Sequence, residues 1–122
     1  MGSILQARCA GCGLDQRLSV GGGMRSFMTI AAVPAGCDSC HRVVMVNAKL
    51  APRYPCPTNG CAGSAVIIGQ IAGPTHDRTG SIVFDWLVDD EARTRYQLGD
   101  QAYRCPACGA SSLTFAVTGS WD

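Results

Sequence analysis

Charge is scarce in this chain of 122 residues. Only 16% of positions are charged, against roughly 25% in ordinary soluble domains. Aromatic residues make up 7%, and Lys49 is the single lysine beside nine arginines. A net charge of +1 with 47% apolar residues excludes a disordered, charge-extended chain. Long hydrophobic runs are missing too. The longest, residues 28–35, is broken by Thr29 and stopped near Pro34, well short of the ~20 residues that cross a bilayer. The opening residues lack the apolar core of an export signal, so a cytoplasmic location is expected. Met1-Gly2-Ser3 shows no motif and is assigned no role. There are only two histidines, His41 and His76, and no triad order, P-loop or nucleotide fingerprint. Nothing here calls for an enzyme.

What is present is cysteine. Eight occur, as Cys9/Cys12, Cys37/Cys40, Cys56/Cys61 and Cys105/Cys108. Paired spacing of this kind suits a metal that takes two thiolates from one tight turn and two from another. A C-x-x-C gap lets the backbone wrap round the ion, and a following glycine reaches positive φ without steric cost. Gly13 and Gly109 stand at that place, and Gly60 lies inside the wider third turn. Disulfides would also use eight cysteines, but close pairs are poor staples for distant segments. The expectation is two Zn2+ per chain, held by all eight cysteines. Metal would also supply stability: each half has about 60 residues and few large apolar side chains, a marginal core. A structural zinc site is worth an apparent ~10–16 kcal/mol in zinc-finger peptides, against a typical domain stability of ~5–15 kcal/mol.

Four pairs combine into two sites in three ways. Sequential pairing joins 9/12 with 37/40 and 56/61 with 105/108. Nested pairing joins 37/40 with 56/61 across residues 41–55, a standard zinc spacing, and brings 9/12 to 105/108. Crossed pairing interleaves the two sites. The repeat of Tyr54-Pro55-Cys56-Pro57 in Tyr103-Arg104-Cys105-Pro106 suggests two matching halves of one site and favours the sequential choice. Each of these turns precedes a strand-like run, residues 65–68 and 113–117. Thiolate turns opening short hairpins make the chain resemble double zinc-ribbon proteins with rubredoxin-like knuckles, of bacterial type. That resemblance implies a small β-rich, metal-stapled fold of two ribbon-like lobes with little helix. The lobes would be residues 1–52 and residues 53–122, the second with a longer β insertion, or the two would form one compact unit. It also implies a zinc-binding adapter that meets a protein partner. The alternatives are a rubredoxin-like iron electron carrier and a transcription-associated ribbon that contacts nucleic acid. The longer segments between knuckles, and the lack of an acidic pair at a short hairpin tip, set the chain apart from polymerase-associated ribbons. Asp90-Glu91 lies instead in a run of charge.

Other segments follow the same pattern. Residues 16–20, 42–46, 65–71 and 81–88 read as strands. Asp89 can cap a short helix reaching about Gln97, or residues 94–98 can form a second hairpin arm turning at Gly99-Asp100. Gly21-Gly22-Gly23 marks a turn, and the apolar residues after it, Met24 to Ile30, are expected to enter a small core. A sharper reading makes Met24, Arg25, Phe27 and Met28 an adaptable docking surface. Charge is uneven: residues 1–61 carry six basic against two acidic residues, and residues 62–122 carry four against seven. This is no basic stripe of the nucleic-acid-binding kind, so a protein partner is expected before nucleic acid and no membrane is expected. His41, beside Cys40, is expected to serve its own knuckle.

Overall fold

The computed structural model describes residues 2–22, 30–50, 53–72, 82–89 and 93–121. These residues form a small, mostly antiparallel β structure whose only helical element is a 3-10 turn at Ala48–Leu50. Strand β1 (Gly2–Cys9) pairs antiparallel with β2 (Asp15–Gly21), from Gly2↔Gly21 to Arg8↔Asp15. Side chains alternate across a strand, so Leu5, Ala7 and Cys9 of β1 and Leu18 and Val20 of β2 turn inward, while Arg8, Arg17 and Ser19 face solvent. β3 (Ala32–Cys37) and β4 (Arg42–Asn47) repeat this hairpin, ending in the Cys37↔Arg42 pair. A third strand then joins each hairpin. β5 (Ala65–Ile67) pairs with β3, and β9 (Leu113–Trp121) pairs with β1. The two three-stranded units meet through a single β2–β3 pair, Gly21↔Ala32, giving a six-stranded sheet with the order β4-β3-β2-β1-β9 and β5 beside β3.

A smaller sheet, ordered β6-β8-β7, is built from β6 (Gln70–Ala72), β7 (Ile82–Asp89) and β8 (Thr94–Gly99). Residues 65–71 are therefore two strands in different sheets. Gly69 divides them with φ 109°, and a Cβ there would meet the Tyr96 ring and the Gln97 carbonyl. The helix expected from Asp89 towards Gln97 does not form over the described residues. Thr94–Gly99 is the central strand of the small sheet, paired on both edges. Its Tyr96 and Leu98 are fully buried, and the Tyr96 hydroxyl donates to the Ile68 carbonyl. Burial and two ladders of backbone bonds outweigh one helix cap, because propensity is a weak prior beside tertiary packing.

The small sheet is tied to the large one at several points. The Trp86 ring lies over Gly21, 3.1 Å from where a Cβ would stand, and stacks on Phe84. The Lys49 ammonium donates to the Val88 carbonyl. The opening residues also have a role that the sequence did not suggest. Gly2 begins β1 in the interior of the large sheet, where a Cβ would run into the Val20 carbonyl and the Trp121 indole. The Trp121 Nε1–H donates across β1 to that carbonyl at 3.0 Å. Ile30, expected in the core, is 41% exposed. Residues 23–29, including Met24, Arg25, Phe27 and Met28, lie outside the described residues, as do His76 and Asp90-Glu91.

Candidate metal centres

The first knuckle is the tip of the β1–β2 hairpin. Cys9 ends β1, its N–H donating to the Leu14 carbonyl at 2.9 Å while the Gly13 N–H returns to the Cys9 carbonyl at 2.9 Å. The same two bonds recur ninety-odd residues later. The Cys105 N–H donates to Ala110 at 2.8 Å, and the Gly109 N–H donates to Cys105 at 2.7 Å. Gly13 and Gly109 have φ 75° and 77°, the left-handed region where glycine alone carries no Cβ penalty. The two knuckles face each other because β9 lies against β1 with Cys9 opposite Leu113. A Tyr103↔Leu113 bridge sets the second turn beside that strand. Cys9, Cys12, Cys105 and Cys108 thereby form one cluster.

The second cluster repeats this plan. Cys37 ends β3, and the turn through Cys40 to His41 leads into β4. The partner turn, Cys56 to Cys61, is closed by Cys56 N–H to Gly63 at 3.0 Å and by Cys61 N–H to Thr58 at 3.0 Å. Gly60 supplies the positive φ, 83°. A Pro55↔Ser64 bridge and the Cys37↔Ala65 pair of β3 and β5 set this turn beside its partner. Cys37, Cys40, Cys56 and Cys61 gather as the second cluster, and within each cluster all four sulfurs lie within 4.8 Å of one another.

Distances test whether a metal fits. Around an ion bound at ~2.3 Å, tetrahedral sulfurs stand about 3.8 Å apart. The Sγ–Sγ separations are 3.6 Å for Cys9–Cys108 and 3.8 Å for Cys12–Cys105. They are 3.7 Å for both Cys37–Cys61 and Cys40–Cys56. A disulfide would bring two sulfurs to ~2.05 Å, and all eight cysteines are free. The geometry is that of two tetrathiolate sites able to hold two metal ions.

Hydroxyl groups tune the sulfurs. Ser112 Oγ is 3.1 Å from Cys9 Sγ and is the main reason that this thiol is lowered to about 6. In the other cluster the Thr58 hydroxyl, then its N–H, lowers Cys56 to about 6. Their neighbours move the opposite way. The Leu14 N–H favours the Cys12 thiolate, but burial and the adjoining cysteines outweigh it and push Cys12 up to about 12. The Gly63 N–H opposes the same effects at Cys61, which rises to about 11. Cys9 and Cys56 therefore ionise readily, whereas Cys12 and Cys61 hold their protons until a cation offsets the charge. Ser112 and Thr58 were not singled out by sequence reasoning; the only signal was a hydroxyl residue within a few positions of a knuckle.

The pairing differs from the sequential one expected. Each site takes one pair from either side of residues 52/53, in the nested arrangement. The Tyr-x-Cys-Pro repeat has another meaning: it opens the second knuckle of each site, so it marks equivalent parts of two sites. Sulfur partners follow strand pairing, β9 on β1 and β5 on β3, which short motifs do not encode. His41 does not reach a thiolate of its own knuckle; its Nδ1 lies 3.3 Å from the Pro106 carbonyl of the other site. No described helix is long and apolar enough to cross a membrane. No protein-family model matches the sequence, and neither curated proteins nor solved structures give a significant match.

Proposed function

We propose that this chain is a structural zinc protein, in which two closed tetrathiolate sites hold a β scaffold that serves as a non-catalytic binding module. The observation that carries this reading is the closure of both sites: two sulfur pairs in each at tetrahedral separations, with all four sulfurs within 4.8 Å of one another, leave no ligand position for a water or substrate. A catalytic zinc keeps such a position open. Bound there, Zn2+ would supply charge neutralisation and cross-linking, each site carrying a net charge of about −2. The chain's own part is to present thiolates, with the Ser112 and Thr58 hydroxyls hydrogen-bonded to cysteine sulfurs and the knuckle N–H groups fixing the turns.

Elemental analysis of protein purified without added metal tests this reading. Two zinc and negligible iron per chain, in a colourless preparation, is the expected result. Stoichiometric iron in a red preparation would make the protein an electron carrier instead. Recognition by a module of this kind belongs to groups outside the metal sites. The proposed docking residues are Met24, Arg25, Phe27 and Met28, whose cation and apolar groups suit a protein partner with an acidic rim and an apolar pocket. Changing Phe27 and Met28 together to Ser should weaken capture of such a partner with both metals retained; undiminished capture would remove this segment from the interface.

A further inference from the structure

We propose that the two sites load in a fixed order and are coupled. The 37/40/56/61 site closes first, and its closure raises the metal affinity of the 9/12/105/108 site through direct contacts between their knuckles. This rests on the metal-binding reading above and adds to it a dependence of one site on the other.

Order follows from chain connectivity. Fifteen residues, 41–55, separate the two pairs of the inner site, whereas 92 residues, 13–104, separate those of the outer site. Loop-closure probability falls as the −3/2 power of length, so the inner site is favoured by about 15-fold in the unfolded chain.

Coupling follows from three contacts, each made by residues next to a ligand. His41, immediately after Cys40, directs Nδ1 at the Pro106 carbonyl 3.3 Å away; the carbonyl can only accept, so the ring nitrogen donates. Asp38, after Cys37, pairs with Arg104, before Cys105, at 3.3 Å. Gly36, before Cys37, packs so closely on Pro106 that a Cβ would stand 3.2 Å from its ring. Whatever fixes the 37–41 turn therefore also fixes the backbone that carries Cys105.

His41 strengthens the case because it is conformationally out of place. It sits one residue after a C-x-x-C pair with φ 57°, where the equivalent residues of two other knuckles are Gly13 and Gly109. An L-residue there carries a steric cost that glycine avoids. A strained backbone persists where its surroundings over-determine it, and the described contact of this residue's ring reaches the neighbouring site. The ion pair is exposed on both sides and adds little. The histidine bond sets the scale, a coupling of about five- to tenfold, which must act equally in both directions.

The test is a zinc titration of the metal-free full chain followed by native mass spectrometry, with thiol alkylation to map the one-metal species. At one equivalent, Cys37, Cys40, Cys56 and Cys61 should be protected and the outer four modified. Two variants then probe the coupling: H41G, which relieves the strained φ and so should not impair folding, and R104A. In H41G the first metal should bind at least as tightly as before, the second about fivefold more weakly, and the one-metal species should accumulate. R104A should show a smaller effect in the same direction. Equal protection of both quartets, earlier protection of the outer one, or an H41G titration superimposable on the parent would overturn the proposal. Each of these outcomes would leave a two-zinc scaffold intact, whereas a chain that never binds two metals would remove both readings.

Discussion

Ionisation of the cysteines is where single residues set the behaviour of the metal sites. Cys9 and Cys56 are lowered to about 6, while Cys12 and Cys61 are raised to about 12 and about 11. Cys108 is also raised; the Ala110 N–H opposes this shift, and burial with the Cys9 hydrogen bond outweighs it. At neutral pH the raised groups hold protons that a metal must displace, because thiolate is the ligand. Protons and metal compete for the same sulfurs, so affinity strengthens as pH rises and weakens as it falls. Zinc competition with a chromophoric chelator between pH 6 and pH 8 should show the apparent affinity rising throughout, with protons released on binding. A pH-independent affinity would contradict these ionisation states. All eight cysteines that gather in the two clusters were legible from spacing and turn chemistry alone. Their sulfur-bound hydroxyls, Ser112 and Thr58, were not, because a hydroxyl near a knuckle is common and only the folded turn shows where it points.

At the scale of elements, the unit is a hairpin with a thiolate knuckle at its tip and a third strand that brings a second knuckle to face it. It occurs twice, as β1-β2-β9 and as β3-β4-β5. The alternation of Leu18 and Val20 with polar neighbours makes β2 readable from sequence, and Val43 to Val46 does the same for β4. β1 and β3 are less so, since Gly2, Ala7, Pro34 and Gly36 are weak strand formers whose conformation comes from pairing on both sides. β8 is the same case in stronger form. The third strand of each unit depends on its buried anchor. Leu113 has no exposed surface, pairs with Cys9 and exchanges backbone bonds with Tyr103 at 2.7 and 3.0 Å. Leu113→Ala should therefore cost about 2–5 kcal/mol in denaturant unfolding of the zinc-loaded protein. A loss below about 1 kcal/mol would show that β9 is not anchored there.

For the whole molecule, the decisive feature is nesting: one ribbon, residues 32–67, is contained within the sequence of another whose strands come from both ends of the chain. Short motifs reveal that four knuckles exist but not which strands cross the intervening residues to bring them together. The repeated Tyr-x-Cys-Pro therefore pointed to a partnership where the fold has an equivalence. The small sheet of β6, β7 and β8 fills the interval between the second and third parts of this arrangement, with Trp86 over Gly21 and Lys49 on Val88 fastening it. The most direct measurement is a crystal structure with anomalous scattering recorded on both sides of the zinc absorption edge. The nested account predicts two zinc peaks, one within about 2.3 Å of the sulfurs of Cys9, Cys12, Cys105 and Cys108, the other equally close to those of Cys37, Cys40, Cys56 and Cys61. A peak shared by Cys9/Cys12 and Cys37/Cys40, or sulfurs joined as disulfides with no metal between them, would contradict it.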